Sequence, residues 1–471
     1  MTKYLLLILL PFAIYFFAPI LRQPGKRRAG LIAVHAVLLT YLAVFVLNRS
    51  PLIFSDELNV IQFIHAAKQK LHHWQGWFCE KDFIPNHFLL VDTSYDPVLV
   101  PNPEGDQEDS TFVRITDRKK LTRLLDILDK QSERIDLVVC DILFGQPTPH
   151  DSLLNAALQR LAAKRKLVVA YSENETANPA FSLPPEARGR ATEELRGDIF
   201  FSHTLQEQEL SSLPYLMYRR LNDIEDVGVF SETRPNGDTD WYLNTFIPEL
   251  PFSDEERLLG NAPNQPSKTW FRMIMDDMLG NRPLLSRQRA EMTADGNGPL
   301  NLGYLLTESG QTDLAARLEQ KSGPYRIVFI GSFQDPENDV HNTVFGAMHG
   351  SVILLNIFYE LQQGHHHVSL LYLVMLLAGF WYITRVLVRR AVRVQPEPEP
   401  TASGNWLGRV FDFLRFLYRF VFEEERHVWL LLILVILADL IFGHIINIMG
   451  LAIYLVVFDA LLRFFSQRRV A

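Results

Sequence analysis

Four polar residues follow apolar runs that are typical of buried strands, at the positions where such strands end. Asp92, Asp141 and Ser332 each come at the end of such a run, and Asp339 lies in the loop just beyond the last run. In an open parallel sheet, ligands bind outside the carboxyl ends of the strands. These residues could therefore hold a cation, or the ammonium or hydroxyl groups of a small ligand. The alternative is structural, with the acids capping helices or bonding loop amides.

Histidine is the other residue type here that could bind a proton or a metal ion. His365, His366 and His367 stand where a long apolar run begins, with His341 and His349 in the preceding loop. Three adjacent histidines on a helix cannot all point the same way, and no cysteine or carboxylate spacing completes a zinc pattern. We interpret them as ordinary interfacial residues, and no metal site is predicted.

Signatures of catalysis are missing from the sequence. There is no G-x-S-x-G, H-E-x-x-H or G-x-x-x-x-G-K-[ST] motif and no dinucleotide fingerprint. We therefore expect neither an enzyme nor a bound cofactor. Cys140 lies in an apolar run, which is typical of a buried free thiol, although an oxidising compartment would allow it to pair with Cys79.

The elements that would position the polar residues alternate along the middle of the chain. Runs typical of buried strands lie at residues 87–94, 135–144, 166–172 and 325–333. Amphipathic helical patterns separate the first three runs, at residues 117–131 and 152–165. This alternation predicts an exported α/β domain with a mainly parallel sheet over residues 48–367. Residues 174–298 are too irregular to be assigned a fold.

A family resemblance is carried by both ends of this domain. The closing residues are Ile330, Gly331, Asp339, Thr343, Gly346, Met348, Gly350 and Asn356, and the earlier ones are LLVDTSYD, CDILF, Asp151, Leu154 and Ala156. In this spacing they resemble the second CHASE family, the cyclase and histidine-kinase-associated sensory extracellular domains. Val344 and His349 stand where that family usually has prolines. The resemblance covers roughly residues 54–359, and it implies an extracytoplasmic sensory module that is typically followed by transmembrane helices.

Apolar runs without a net charge lie near both ends of the chain. They cover residues 4–20, 30–47, 368–388, 428–442 and 451–465. Because about 20 mostly apolar residues span the hydrocarbon core as a helix, we predict about five transmembrane helices. Two lie within residues 1–47, one covers residues 368–388, and a hairpin covers residues 427–465. A cleaved signal peptide is the alternative for the first run, and one continuous apolar stretch is the alternative for the hairpin.

The basic residues predict the orientation of these helices. Clusters of arginine and lysine occur at residues 22–28, 385–393 and 463–469, and a five-span arrangement places all three clusters on one side. Basic loops remain in the cytoplasm. The sequence therefore predicts a multi-pass protein of the bacterial inner membrane, with the large domain outside and residues 466–471 as a cytoplasmic tail. The net charge of -8 and the lack of a basic stripe elsewhere exclude nucleic acid as an expected partner.

The membrane end carries three further features. Residues 389–405 form a Pro/Glu-rich linker that cannot build a core. Residues 406–426 have a wide apolar face with a cationic rim, which is typical of a helix lying on membrane lipid, although a helix buried in a protein complex would look the same. Asp439 and Asp459 fall within the last two apolar runs and predict contacts between helices or subunits, and Arg463 is placed to pair with Asp459.

No predicted cytoplasmic segment is large enough to be an output domain. The sequence therefore predicts a sensory or receptor component that relays ligand or partner binding, through helices attached near Leu47 and Val368, to a separate effector protein. The alternative is a structural subunit of a membrane complex whose exported domain is a docking surface. Whether the chain also forms a homo-oligomer stays open at this point.

Overall fold

The chain divides into two compact units, and the last boundary between them lies between His366 and His367. The α/β unit comprises His65–Asn244 and Pro248–His366, and the helical unit comprises Met1–Ile64, Thr245–Ile247 and His367–Ala471. The structure is a computed structural model. It describes residues 26–47, 86–101, 112–172, 181–191, 195–196, 199–200, 202–207, 210–224, 226–228, 231–246, 248, 299–320, 323–333, 340–343, 346–392, 426–444, 446 and 448–467.

The helices are numbered in chain order. They are α1 (Lys26–Tyr41, continued by a π-helical segment over Leu42–Leu47), α2 (Arg118–Lys130), α3 (Asp151–Ala163), α4 (Leu213–Leu221), α5 (Leu302–Leu305), α6 (Glu308–Gln320), α7 (Gly350–Gln362), α8 (Leu370–Val392), α9 (Arg426–Phe442) and α10 (Ile448–Gln467). Short 3₁₀ turns lie at Ser132–Arg134 and Pro185–Ala187.

The strands are numbered in the same way. They are β1 (Phe88–Asp92), β2 (Pro97–Pro101), β3 (Phe112–Thr116), β4 (Leu137–Cys140), β5 (Leu167–Tyr171), β6 (Arg188–Arg190), β7 (Leu195–Arg196), β8 (Ile199–Phe200), β9 (His203–Thr204), β10 (Gln206–Glu207), β11 (Leu210–Ser211), β12 (Asp226–Val227), β13 (Ser231–Thr233), β14 (Thr239–Trp241), β15 (Thr245–Phe246), β16 (Leu300–Asn301), β17 (Ile327–Gly331), β18 (Val340–Thr343) and β19 (Gly346–His349).

A parallel sheet forms the centre of the α/β unit. It confirms the predicted α/β domain with a mainly parallel sheet. Within the described residues it has six strands in the order β16, β1, β17, β4, β5, β6. Strand β17 inserts between β1 and β4, with Val91 opposite Ile330 and Val139 opposite Phe329. The sequence predicts four of these strands but not this order, because β17 lies far along the chain from both neighbours.

Helices cover both faces of this sheet. On one face, Val91, Val138 and Val328 share an apolar core with α2, α3 and α6. Helix α2 contributes a leucine stripe headed by Leu121, and Asp117 caps the helix by accepting the amides of residues 119 and 120. On the other face, the Phe88 ring meets the Phe358 ring of α7 edge-on at 5.6 Å between centroids, and α4 packs beside α7. The predicted helical patterns at residues 117–131 and 152–165 are confirmed.

The start of α7 lies against the carboxyl edge of the sheet, at the end of β17. A Cβ atom at Gly331 would lie only 2.4 Å from the Ser351 hydroxyl in the first turn of the helix. Position 331 must therefore lack a side chain for α7 to approach this closely. Helix α7 then runs to Gln362, shortly before the α/β unit ends at His366.

Helix α8 is the centre of the helical unit, and α1, α9 and α10 each pack against it. At Gly379 the side chain of Leu434 approaches so closely that a Cβ atom would lie 2.5 Å from it. A small residue at this crossing lets α8 and α9 pack tightly. Gly443, with φ of 67°, follows α9 and begins the turn into α10.

The number of membrane-spanning helices differs from the sequence prediction. Within the described residues, only Leu370–Arg390 is long and apolar enough to cross a membrane, instead of about five helices. The apolar helices Ile32–Leu47, His427–Phe442 and Gly450–Ala460 have 10–17 residues, fewer than the about 20 that the hydrocarbon core requires. The turn at Gly443 lies where the hairpin was predicted, so the difference comes from the length of the apolar helices and not from the position of the turn. Length and composition alone do not separate such a helix from a core helix of a soluble protein.

The other predictions for the apolar parts of the chain can be compared with the structure only in part. Helix α8 continues to Val392, so it includes the first residues of the predicted Pro/Glu-rich linker at 389–405. The apolar run at residues 4–20 and the amphipathic segment before residue 426 lie outside the described residues.

Candidate functional site

Asp92 ends strand β1 at the carboxyl edge of the parallel sheet and is buried there. Its Oδ1 atom accepts hydrogen bonds from the Ser94 amide (3.1 Å), the Ser94 hydroxyl (2.6 Å) and the Phe333 amide (3.2 Å). Because these donors come from the loops after β1 and β17, the carboxylate holds two neighbouring strand ends together. Asp92 thus bonds loop amides, as in the structural alternative.

Asp141 and Ser332 lie at the same edge. Ser332 shares a hydrogen bond of 3.1 Å with the Ser94 hydroxyl, and Asp141 Oδ2 accepts the Ser351 hydroxyl at 2.6 Å. Asp141 therefore connects the end of β4 to the first turn of α7. The structure brings Asp92 and Ser332 together through their common partner Ser94, whereas Asp339 lies outside the described residues.

The sequence prediction missed a further acid at this edge, Asp96. This buried carboxylate accepts Lys120 Nζ at 2.5 Å and the Gly303 amide at 2.9 Å. The hydrogen bond to Asp96 is the largest of the effects that raise the pKa of Lys120 above its ordinary value, and partial burial opposes it. The signal available in the sequence was the position of Asp96 in the same acidic turn as Asp92.

The hydrogen bonds at this edge determine which chemistry it favours. Asp92, Asp96 and Asp141 each accept donors from the protein itself, whereas a hard cation such as Ca²⁺ needs six to eight oxygen ligands. The geometry favours a rigid connection between strand ends and α7. A cation or small ligand at this edge stays a prediction.

Cys140 is a buried free thiol, as the sequence predicts. Burial is the main cause that raises the pKa of the Cys140 thiol to about 12, and the nearby Arg118 opposes the shift. A thiol with so high a pKa stays protonated near neutral pH and is a poor nucleophile.

A second polar cluster lies in the part of the α/β unit next to His366. Glu232 of β13 is fully buried, and its two oxygens accept the hydroxyls of Tyr215 (2.9 Å) and Tyr218 (3.0 Å). His366 is also fully buried, and its Nε2 atom lies 3.4 Å from Glu232 Oε1. Burial first, and the negative charge of Glu232 second, raise the pKa of Tyr215 and of Tyr218, so both hydroxyls remain hydrogen-bond donors.

The preceding histidine faces a glutamate of its own. His365 Nδ1 lies 2.5 Å from Oε2 of Glu360, a buried residue in the last turns of α7. Sequence reasoning interpreted His365 and His366 as ordinary interfacial residues and missed both partners. Spacing could not reveal Glu232, because it is 134 positions away from His366. An imidazole and a carboxylate are zinc ligand types, but here both Glu232 oxygens already accept tyrosine hydroxyls.

A third buried group, His203, hydrogen-bonds the Ser212 hydroxyl through Nε2 at 2.9 Å. Burial, followed by the positive charge of Arg190, lowers the pKa of His203 to about 3. Arg190 is itself paired with Glu207. A serine and a histidine at this distance resemble part of a hydrolase site, but both side chains are buried. We therefore assign the pair to the structure of the α/β unit.

His203 should make the stability of the α/β unit depend on pH. Its pKa is about 3 in the folded protein and about 6.5 when unfolded, so the unfolded state binds the extra proton. Stability should fall as the pH decreases from about 6.5 towards 3, by up to about 1.4 kcal/mol per pH unit. Urea unfolding of the full chain at several pH values would measure this slope.

The control compares two histidine substitutions. His203→Gln should flatten the slope between about pH 4 and pH 6, while His150→Gln, at an exposed turn, should leave it unchanged. An equal slope in His203→Gln and the unsubstituted chain would contradict the assignment.

The intramembrane contacts predicted for Asp439 and Asp459 can be compared with the helical unit. Both carboxylates are buried within it. Asp459 Oδ2 lies 3.8 Å from Arg390 Nη1, which connects α10 to α8. Arg463 lies in α10, but its side chain is outside the described residues, so its pairing with Asp459 stays a prediction.

No family model, curated protein or solved structure matches this chain. The resemblance to the second CHASE family is therefore still an expectation from the residues that carry it.

Proposed function

We propose that the protein is a membrane-anchored sensory or receptor component, which relays binding at its α/β unit through membrane helices to a separate effector. The observation that carries this proposal is the apolar exterior of the helical unit, together with several polar side chains buried inside it. Large apolar side chains of α1, α8, α9 and α10 are exposed, and polar side chains lie between the helices. The exposed residues include Val34, Val37, Leu370, Leu371, Val374, Trp429, Ile433, Ile441 and Val456.

The interior of the helical unit supports the same proposal. His35 of α1 is fully buried and hydrogen-bonds Thr384 of α8 (2.8 Å) through one ring nitrogen and Tyr454 of α10 (3.0 Å) through the other. One imidazole thus connects three helices. A bundle with an apolar outside, whose few polar side chains are buried and hydrogen-bonded between the helices, is typical of helices whose solvent is lipid, because lipid cannot satisfy polar groups.

In this proposal α8 crosses the membrane, and the shorter helices packed on it share the same apolar layer. The α/β unit lies on the extracytoplasmic side of a bacterial inner membrane, since the basic clusters flank the apolar runs on the other side. Membrane lipid is then the partner of the exposed apolar side chains.

Helix α7 supports the relay. Its first turn is bonded to the sheet edge through Ser351 and Asp141, and its last turns carry Glu360, the partner of His365. A ligand or partner that prefers one arrangement of the strand ends would therefore bias α7, and with it the chain that continues into α8. The size of the effect equals the difference in the ligand's affinity for the two arrangements.

Membrane fractionation with reporter fusions tests the location. The full chain should stay with the membrane after an alkaline carbonate wash. A reporter enzyme that is active only outside the cytoplasm should be active when inserted near Gln206 and inactive when fused after Ala471. Release by carbonate, or the opposite pattern of reporter activity, would overturn the proposal.

One observation favours a second candidate, a structural subunit of a membrane complex. The carboxylates Asp92 and Asp141 are hydrogen-bonded within the protein, as expected of a rigid docking surface. Native purification followed by mass spectrometry separates the candidates. A retained small molecule supports the sensor, and a stoichiometric protein partner without a small molecule supports the subunit.

A further inference from the structure

The last residues of the α/β unit contain two consecutive histidines, each facing a buried glutamate. We call residues 363–366 the junction. His365 pairs with Glu360 of α7, and His366 pairs with Glu232 of β13. The Glu360 and Glu232 side chains are 2% and 0% exposed, and those of His365 and His366 are 26% and 0% exposed. Two acid–histidine pairs thus attach the junction to two different elements of the same unit.

Two hydrogen bonds oppose the effect of complete burial on Glu232. Both of its oxygens accept tyrosine hydroxyls, and hydrogen bonds to a carboxylate stabilise its charge. An ionised carboxylate that is removed from water attracts a proton onto a facing imidazole. Protonation gives an imidazolium–carboxylate pair, whose attraction is stronger in a buried site than in water.

The next residue, His367, is a further titratable group, whose ring nitrogen lies within 4.8 Å of the ligand atoms of His366 and Glu232. The other described groups around the imidazoles are mainly aromatic. The ring of Tyr218 meets His366 edge-on at 5.0 Å, and the ring of Tyr215 does so at 6.3 Å. Tyr242 lies beside Tyr215, and the Arg219 guanidinium lies over the Tyr215 ring at 6.0 Å while it donates to Ser211. Glu360 and Glu232 are the carboxylates that the described residues bring against His365 and His366.

We propose that the junction is a proton-binding switch, in which His365 and His366 take up protons against Glu360 and Glu232 and so fasten the end of the α/β unit to α7 and β13. The proton is thus a ligand of this protein. At acidic pH the two ion pairs hold the junction; as the pH rises, each imidazole loses its proton to solvent and the attachment weakens. His365 is partly exposed, so protons can enter there.

This inference deepens the proposed sensory function and relies on it only for the effect on the membrane helices. His367, the residue after the junction, is held in the helical unit, where its carbonyl accepts His444 Nε2 at 3.0 Å. The junction is therefore one of the places where the chain passes from the α/β unit to the helical unit, and the one that leads directly into α8.

Two backbone hydrogen bonds report on the junction. The Leu243 amide donates to the His366 carbonyl at 2.8 Å, and the His365 amide donates to the Glu360 carbonyl at 3.1 Å. Hydrogen–deuterium exchange of the full chain in lipid nanodiscs would follow both amides between pH 6 and pH 8, after correction for the intrinsic exchange rate. We expect their protection to fall by about tenfold or more over this range. Such a fall corresponds to a difference of about one pKa unit between the closed and the locally opened junction.

Matched variants identify the groups that bind the proton. In the double variant His365→Gln/His366→Gln, and separately in Glu232→Gln/Glu360→Gln, the fall in protection should be less than about twofold. His150→Gln, outside the junction, should behave like the unsubstituted chain. A flat profile in the unsubstituted chain, or an unchanged fall in the histidine double variant, would overturn the switch.

The pH profile of the unsubstituted chain needs no variant, so it tests the switch even where a variant fails to fold. Failure of the switch would leave the membrane relay intact, because fractionation and reporter activity do not depend on proton binding at the junction.

Discussion

Replacing Asp92 with Ala should lower the free energy of unfolding of the α/β unit by about 3–5 kcal/mol. The carboxylate accepts three hydrogen bonds, two of them from backbone amides of residues that are buried. Without an acceptor, each buried amide costs about 1–3 kcal/mol, and bonds to a charged group are worth more than neutral ones. Asp92→Asn, which keeps one carbonyl oxygen, should lose less.

Cys140 offers a way to measure this loss in the full chain. The chain has two cysteines, so a Cys79→Ser background leaves Cys140 as a single thiol in the core of the α/β unit. Its alkylation rate in increasing urea reports the opening of that unit. Glu133→Ala, an exposed carboxyl, is the control.

The two interpretations of Asp92 predict opposite results. A structural Asp92 gives a large loss of stability in Asp92→Ala and almost none in Glu133→Ala. An Asp92 that serves only a ligand gives similar stability in the two variants and loses binding instead. The second pattern would contradict the hydrogen-bonded edge described above.

Replacing Gly331 with Ala should disturb the contact between the sheet and α7, at a cost of about 2–3 kcal/mol. The new Cβ atom would lie 2.4 Å from the Ser351 hydroxyl and 3.2 Å from an edge carbon of Phe329. Since the strand end is backbone-bonded on both sides, either the Ser351 hydroxyl must rotate away from Asp141 or α7 must shift. The same alkylation assay measures the loss.

Ser351→Ala provides the internal control for this prediction. Alone, it removes the hydrogen bond to Asp141 and should cost about 1–2 kcal/mol. Combined with Gly331→Ala, it removes the clashing oxygen, so the double variant should lose at least about 1 kcal/mol less than the sum of the single losses. Strict additivity would show that the helix does not contact the strand end as described.

The sequence was sufficient to predict the main elements of the α/β unit. The runs around Val91, Val138, Val168 and Ile330 are buried strands, and the leucine stripe headed by Leu121 lies on a helix of the core. Both patterns repeat over a few residues with the characteristic periods of strands and helices, so they can be recognised in the sequence itself. The strand-end positions of Asp92, Asp141 and Ser332 follow from the same pattern.

Partners that are far apart in the chain could not be predicted. Ser94 joins Asp92 to Ser332, and Ser351 joins Asp141 to α7, although each pair is separated by more than 200 positions. Within the described residues, the predicted number of apolar helices long enough to span a membrane was also wrong. The helices in these runs, within the described residues, are shorter than the prediction assumed.

By itself, the sequence determined which segments are strands and helices, which face of each is apolar, and where the chain changes from a polar domain to apolar helices. Those features depend on the residue types in a short window. Only the tertiary structure decided that β17 inserts between β1 and β4, that His35 joins three helices, and that His365 and His366 each meet a buried glutamate. The physical reason is that buried polar groups take whichever partner the packing of distant segments brings within hydrogen-bond distance, and the spacing of residues along the chain carries no record of that distance.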